Sequence, residues 1–269
     1  MSTPSAITVT DFGDSPAAVR SRFRAGLRTT TSGMATGFVQ ANLIAVPARH
    51  AYDVLLYITR NPKACPLLDV TEPGSPRTEL GDIDLRTDLP GYRIYENGTL
   101  RGEASDVSDI WPDDLVCFLI GCSFTFENAL IRAGVPVRHI DAGRNVPMYR
   151  TNIETRSAGR MSGPMVVSMR AIPAGLVGRA VEVTAQFPTM HGTPVHIGDP
   201  TAIGIESIDT PHYGDRPVIE DGDVPVFWAC GVTPQAAVEQ AAFPFALAHV
   251  PGQMLVTDVP EPGGHRTRT

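Results

Sequence analysis

Two short stretches set a thiol and a hydroxyl beside the free N–H groups of a helix start. They are Gly121-Cys122-Ser123 and Cys230-Gly231-Val232-Thr233, each following an apolar run and preceding a helical pattern. The dipole at such a helix end favours a thiolate, so Cys122 could be a nucleophile or part of the lining of an anion pocket. Ser123 stands at the cap position of the first helix, and Thr233-Pro234 opens the second. His191, His196, Asp199 and His212 lie in one Gly/Pro-rich stretch, and His249 and Asp258 bracket HVPGQMLVTD. One histidine with a near-neutral pKa suffices as general acid or base, which makes His196 and His249 candidates. A metal held by His191, His196 and Asp199 is the alternative. Their spacing matches no pattern of the H-E-x-x-H kind, so the expectation is no metal.

A third set is basic. Arg144, Asn145, Arg150 and Asn152 stand in GRNVPMYRTN, where Gly143 and Pro147 mark irregular backbone. Arginine grips a carboxylate through two parallel hydrogen bonds, which lysine cannot do. Arg132, Arg138, Arg144, Arg150, Arg156 and Arg160 face only Glu127, Asp141 and Glu154 nearby in sequence. Such a loop in a chain of net charge −7 suggests a collector of small anions.

Composition excludes several classes. There is no long basic block interleaved with aromatics, so nucleic acid is not an expected partner. No apolar run reaches membrane-span length, and Met1 to Asp11 has neither the basic start nor the apolar core of a signal peptide. Cys65, Cys117, Cys122 and Cys230 show no C-x-x-C spacing, which fits a reducing cytoplasm better than a disulfide framework or zinc ribbon. Lys63 is the only lysine against 21 arginines, leaving one Schiff-base candidate in a Pro-bounded loop. Neither a phosphate-loop nor a dinucleotide fingerprint occurs, so no cofactor is expected. The expected partner is a small acidic substrate, with a homo-oligomer as a further option.

The elements that must position these residues follow from periodicity. Asp14-Ser15-Pro16 starts a helix with Val19, Phe23 and Leu27 on one face. Phe38 to Val46 contains a short apolar stretch and precedes a helix from Pro47 to Thr59, with Ala51, Tyr52, Leu55 and Ile58 on its buried side. Leu67 to Val70 is a strand, and Tyr92 to Glu103 is a hairpin turning at Asn97-Gly98. Leu115 to Ile120 is a buried strand, followed by a helix carrying Phe126 and Leu130 and by a second strand over 135–140. This strand–turn–helix–strand unit predicts a parallel sheet, with ligand at the strand ends. Met165 to Ile172 and Val224 to Ala229 are further strands, and 173–187 and 235–242 are helices. Phe245 to Val250 and Met254 to Thr257 are closing strands. If the strands at 115–120 and 224–229 lie in one sheet, Cys122 and Cys230 meet at its edge. The fold class is mixed α/β. Residues 13–144 and 216–258 form a three-layer α/β sheet domain, 145–215 form a smaller inserted α+β subdomain, and 1–12 and 259–269 are tails.

GCSFTFENAL, GRNVPMYRTNI, GPMVVSMR, HGTPVHIGDP, PVFWACGVTPQ and HVPGQMLVTD resemble, in order, the motifs of the D-glutamate cyclase family. GFVQANL, NPKACPLLDVTEPG and DLRTDLPGYRIY extend the resemblance over residues 15 to 258. The resemblance implies a carbon–oxygen lyase that removes water from an acidic amino acid, the family prototype cyclising D-glutamate to 5-oxo-D-proline. On that reading Arg144 and Arg150 hold the carboxylates, assisted by Asn145, Asn152, Cys230 and Thr233. The helix start at Cys122-Ser123 steadies the oxyanion, and His196 or His249 moves protons. The alternatives are a metal-assisted hydro-lyase on a hydroxy acid and a non-catalytic protein that binds a small carboxylate.

Overall fold

Ser15 accepts the amide hydrogen of Ala18 and Pro16 takes the first helical position, which together start helix α1 (Pro16–Arg24). The computed structural model describes residues 15–262. The tail expected at 1–12 lies outside them, as does most of the one at 259–269. Val259 and Pro260, however, belong to the last strand, and Glu261 is buried. After α1 come β1 (Phe38–Pro47), α2 (Ala48–Arg60), β2 (Leu67–Val70), β3 (Tyr92–Glu96), β4 (Thr99–Ala104) and β5 (Leu115–Gly121). Then follow α3 (Phe124–Arg132), α4 (Arg138–Asp141), β6 (Met148–Glu154), β7 (Pro164–Pro173), α5 (Val177–Ala185) and β8 (His196–Ile197). The chain closes with β9 (Asp223–Ala229), α6 (Thr233–Ala241), β10 (Ala246–His249) and β11 (Leu255–Pro260).

The strands form two sheets. The larger has seven strands in the order β2-β5-β1-β10-β3-β4, with β11 also on β1; the smaller runs β6-β7-β9-β8. Every pairing in both is antiparallel. The mixed α/β class holds, but the expected parallel sheet does not, and β5 and β9 lie in different sheets. The apolar runs that suggested parallel strands mark burial on both faces, which an antiparallel strand covered on both sides shares. The segment 135–140 is no strand either. It leads into the short helix α4, and the chain then crosses to the second sheet.

Burial on both faces explains β1, the spine of the larger sheet. Ile44 and Val46 point into a core with Val54, Tyr57 and Ile58 of α2 and Ala237 and Val238 of α6. Leu43 and Ala45 point the other way, against Ile83, Leu85 and Leu89 from the segment between β2 and β3. On α2 the expected face holds at Ile58, which is buried, and at Ala51, which packs on the core, but not at Tyr52 and Leu55, which are 72% and 39% exposed. In the smaller sheet Val226 and Trp228 meet Phe126 of α3 and Ala180 of α5. Phe227, one residue apart and so on the opposite face, packs on Tyr149 and Ile205.

Candidate functional site

The two strand–helix turns converge although they leave different sheets. The Cys122 Sγ accepts the amide hydrogen of Phe124 at 3.5 Å, and the Cys230 Sγ takes the amide hydrogen of Val232 in the same way. Asn42 of β1 ties the turns together. Its Nδ2 donates to the carbonyls of Ile120 at 3.1 Å and Gly121 at 3.0 Å. The same amide abuts the second turn so closely that a Cβ on Gly231 would lie 2.1 Å from Nδ2. Only glycine fits there. Cys122, Cys230, Phe124, Val146, Met148, Val232 and Met254 share one apolar cluster. Burial pushes both thiols up, Cys122 with a further push from Cys230 and Glu127, and Cys230 to about 11.

Beneath the first turn lies a charge network that the sequence reading did not assemble. Arg170 and Glu127 are almost wholly buried. The guanidinium donates to Glu127 Oε1 from Nη2 at 2.5 Å and Nε at 3.1 Å, to Ser123 Oγ at 3.0 Å and to Ser168 Oγ at 3.2 Å. It also lies 5.1 Å from the ring centroid of Phe126 and 5.4 Å from that of Trp228. On the far side of Glu127, His139 Nε2 is 3.0 Å from Oε1, and Ser32 Oγ donates to Oε2 at 2.6 Å. The Ser32 hydroxyl is also 3.2 Å from His139 Nε2. Burial alone would raise the Glu127 pKa, but the charges of His139 and Arg170 and the hydrogen bonds they and Ser32 make hold it below the usual carboxylate value. A cavity of about 10 Å³, room for about one water, adjoins this network. Gly33–Phe38, Gln40, Thr125, Glu127 and Asn128 are among its lining, and the buried Gln40 Oε1 has no partner among the described residues.

The loop between β10 and β11 forms the next wall. Thr31 donates its amide hydrogen to Gly252 O at 2.9 Å and accepts that of Met254 at 3.0 Å. Asn145 Nδ2 donates to Pro251 O at 3.0 Å, while its Oδ1 has no partner among the described residues. His249 explains how this loop can leave the sheet. One edge of β1 pairs with β10 at Ile44 and Ala45 and with β11 at Gln40 and Ala41. In the gap, His249 Nδ1 faces the N–H of Leu43 at 3.2 Å and its carbonyl at 3.1 Å, standing in for the missing strand. The ring is fully buried, and burial above all lowers its pKa to about 4. Through Nδ1 the ring thus fills a structural place in the sheet.

The other candidates fall elsewhere. The His196 ring lies tilted 5.8 Å from that of Phe227, on the face of the smaller sheet away from Trp228 and α3, and its Nε2 meets Asp199 O. Asp199 caps the next turn through Thr201. His191 is buried, with Nδ1 on Lys63 O and a pKa lowered to about 4, chiefly by burial. No three His, Cys, Asp or Glu side chains among the described residues are grouped to hold a metal ion, His191, His196 and Asp199 included. Arg144 is exposed and bonds Arg216 O; Arg150 pairs with Glu239 and Tyr213 at the surface; Asn152 is exposed beside Gly204. The expected anion-collecting loop is thereby dispersed. Arg132 meets Glu261, and Arg138 meets Asp223 and Glu220, acids far away in sequence. Thr233 is a staple, its hydroxyl binding both the N–H and the carbonyl of Val166. Ser123 sits at the helix start but makes no capping bond, its Oγ being taken by Arg170.

Fold and site together define a mixed α/β protein in which two strand–helix turns share an apolar cluster and a buried arginine–glutamate pair borders a small cavity. The chain belongs to the D-glutamate cyclase family, whose model matches residues 116–258. A protein of Nocardioides sp. named "Putative hydro-lyase" is 63% identical over 91% of this chain and 92% of its own. One of the same name in Saccharopolyspora erythraea is 61% identical over 91% of this chain and 96% of its own. Among solved structures, a nitrogen repressor-like protein of Methanococcus jannaschii aligns over 86% of this chain and 91% of its own. At 11% identity and a TM-score of 0.39, that likeness is too slight to support an argument. Among the described residues no helix is long and apolar enough to cross a membrane.

Proposed function

We propose that the protein removes water from a small acidic amino acid, cyclising D-glutamate to 5-oxo-D-proline. One observation carries this reading in a chain of this family. At the start of α3 the buried guanidinium of Arg170 binds Ser123 and Glu127, and Glu127 with Thr125 and Gln40 lines the adjoining cavity. A buried cation beside polar groups suits the carboxylate of an acidic substrate and the oxyanion that forms when the amine attacks the γ-carboxyl carbon.

The proton balance of the reaction names what else is needed. Two protons leave the ammonium nitrogen and both end on the departing oxygen, so one relay that takes and returns a proton suffices. With His249 neutral in the sheet and His196 on the other face, that relay falls to Ser32, His139 and Glu127. Their 2.6, 3.0 and 3.2 Å contacts form a closed triangle whose Glu127 lines the cavity and whose Ser32 is half-buried. Holding amine and carboxyl carbon in ring-closing geometry supplies up to ~7–11 kcal/mol of the barrier. The four thiols, all free and buried, support a reducing cytoplasmic setting.

The test is incubation of the purified protein with D-glutamate, L-glutamate and small hydroxy acids, each read by mass for loss of water. Lactam from D-glutamate supports the reading. Dehydration of a hydroxy acid alone replaces it with the other hydro-lyase, and tight glutamate binding without turnover replaces it with a carboxylate-binding protein.

A further inference from the structure

We propose that the cavity between the 33–38 segment and α3 seats the ammonium group of the substrate, with Gln40 as the residue that selects an amino acid over a dicarboxylic or hydroxy acid of the same length. This rests on the reading above, that the protein takes a small acidic amino acid. It concerns recognition of the amine, not ring closure, so the two can fail separately.

Three observations carry it. The first is an acceptor without a donor. Gln40 is 2% exposed, and its Nε2 donates to the carbonyls of Thr31 at 2.9 Å and Met34 at 3.2 Å. Two carbonyl partners fix which way round the amide lies, since an oxygen turned to them would meet no hydrogen. Oε1 is therefore the atom left over, an acceptor with no partner among the described residues. Leaving a buried acceptor unmet is costly, and natural structures rarely do so without a water or a ligand. Gln40 lines the cavity, so the missing donor has a place to stand.

The second observation is the charge of the wall. Among the described residues no arginine, lysine or histidine lines the cavity, and its one ionisable group is the Glu127 carboxylate. Asn128 beside it is half-buried and makes no hydrogen bond among the described residues. Acceptors with a negative charge favour a cation that carries several N–H groups and repel a carboxylate. The carboxylates of the substrate belong instead with Arg170, which binds Glu127 and Ser123 but is not part of this wall. The third observation is size. A cavity of about 10 Å³ has room for about one water, and an ammonium head is no larger. A whole amino acid does not fit, so only its amine end enters, from the side where Asn128 is half-buried and Ile131 is 42% exposed. There the nitrogen meets Glu127, the member of the Ser32–His139–Glu127 triangle that lines the cavity. One proton passes from nitrogen to that triangle, and the electron pair it leaves behind is free to attack. A hydroxyl in the same place offers Gln40 one hydrogen and Glu127 no charge, so the site discriminates.

The experiment titrates the purified protein with D-glutamate, glutarate and D-2-hydroxyglutarate, which share two carboxylates and differ at the amine. Affinities are read by calorimetry in the cold, with chromatography confirming that the amino acid is still intact, and lactam formation is assayed separately. D-glutamate should bind ~10- to 100-fold more tightly than either analogue, the range for one hydrogen bond to a charged group. Gln40→Met keeps the length and drops the acceptor, and should bring that ratio close to one. Asn128→Asp, at a position without hydrogen bonds to lose, should raise it, because the added charge favours the ammonium and hinders all the carboxylates alike. Glutarate binding as tightly as D-glutamate in the wild type means a cavity that holds water only; it overturns this inference and leaves any lactam formation untouched. Amine selectivity without lactam does the reverse, and binding of none of the three overturns both. A ratio unmoved by both variants also overturns the inference, and if Gln40→Met fails to fold, Asn128→Asp decides.

Discussion

Replacing Arg170 by leucine probes the charge pair under the first turn directly. The substitution keeps an apolar body against Phe126 and Trp228 but deletes the donors that reach Glu127 at 2.5 and 3.1 Å and Ser123 at 3.0 Å. Glu127 is left almost wholly buried with His139 and Ser32 only. Breaking one side of a buried pair costs ~3–5 kcal/mol, and the surviving His139 contact argues for the lower end, about 3 kcal/mol. At ~2–4 °C per kcal/mol for a domain of this size, the melting temperature should drop by roughly 6–12 °C. The pH dependence supplies a sharper test. In the wild type the Glu127 carboxyl is held below its ordinary 4.5, so its contribution is present above that pH and is lost as pH falls through the lower folded value. In the variant burial is no longer opposed by Arg170, the carboxyl moves up, and a protonated Glu127 needs no cation. The deficit should therefore shrink between pH 8 and pH 5, as read by calorimetry on both proteins. A loss below about 1 kcal/mol, or one that is the same at both pH values, would refute the account of the pair.

Other consequences are more local. Gly231→Ala drives a methyl into the Asn42 amide, which two hydrogen bonds hold in place; it should cost ~1–3 kcal/mol in urea unfolding, and an unchanged midpoint would show that the turns move freely. Folded His249 and His191 have pKa values near 4, below the usual 6.5, so the stability they support is complete above pH 6.5 and declines as pH falls toward 4. His249→Gln should remove the His249 share of that decline in denaturation midpoints, and an identical slope would contradict the assignment. Ser32→Ala should lower dehydration kcat by ~10²-fold with the melting temperature little changed, and wild-type turnover would take Ser32 out of the relay. Arg144→Ala should leave KM for the acidic substrate within a factor of two, because the guanidinium points to Arg216 O at the surface; a large rise in KM would bring it back to the pocket.

Local signals were legible in the sequence, and pairings at a distance were not. Ser15-Pro16, Asn97-Gly98 and the apolar runs of β1, β5, β7 and β9 each state their structure within a few residues, because caps, turns and strands are local matters. Arg170 was also detectable as a lone charge in the apolar run MVVSMRAI, since a strand buries such a residue only with a partner. The partner was not detectable. Glu127 stood in the sequence only as an acid near the basic loop, and nothing in VRHI or TTTSG ties His139 and Ser32 to it. The basic loop misled for the same reason. Arg132 and Arg138 are neutralised by Glu261 and by Asp223, which lie more than eighty residues away. His249 stood out as a conspicuous histidine near a turn, but its work depends on where β1 changes neighbours from β10 to β11, a fact of topology alone.

The meeting of the two cysteine turns was expected for a reason that proves wrong. A parallel sheet would have brought its strand ends to one edge, yet β5 and β9 belong to separate antiparallel sheets. What aligns them is β1 and what it carries. Asn42 holds the carbonyls at the end of β5 and leaves room for the second turn only because residue 231 has no side chain. Gln40, two residues earlier on the same strand, accepts the Cys122 amide hydrogen on its carbonyl and fixes the Thr31–Met34 loop with its side chain. Two polar residues at alternate positions of a buried strand thus orient both turns and the loop bearing Ser32. In QANLIAV their spacing of two marks one face, and a buried strand has reason to place amides there only when other backbone needs them. The position of the site is accordingly written in β1, which contributes none of its reacting groups.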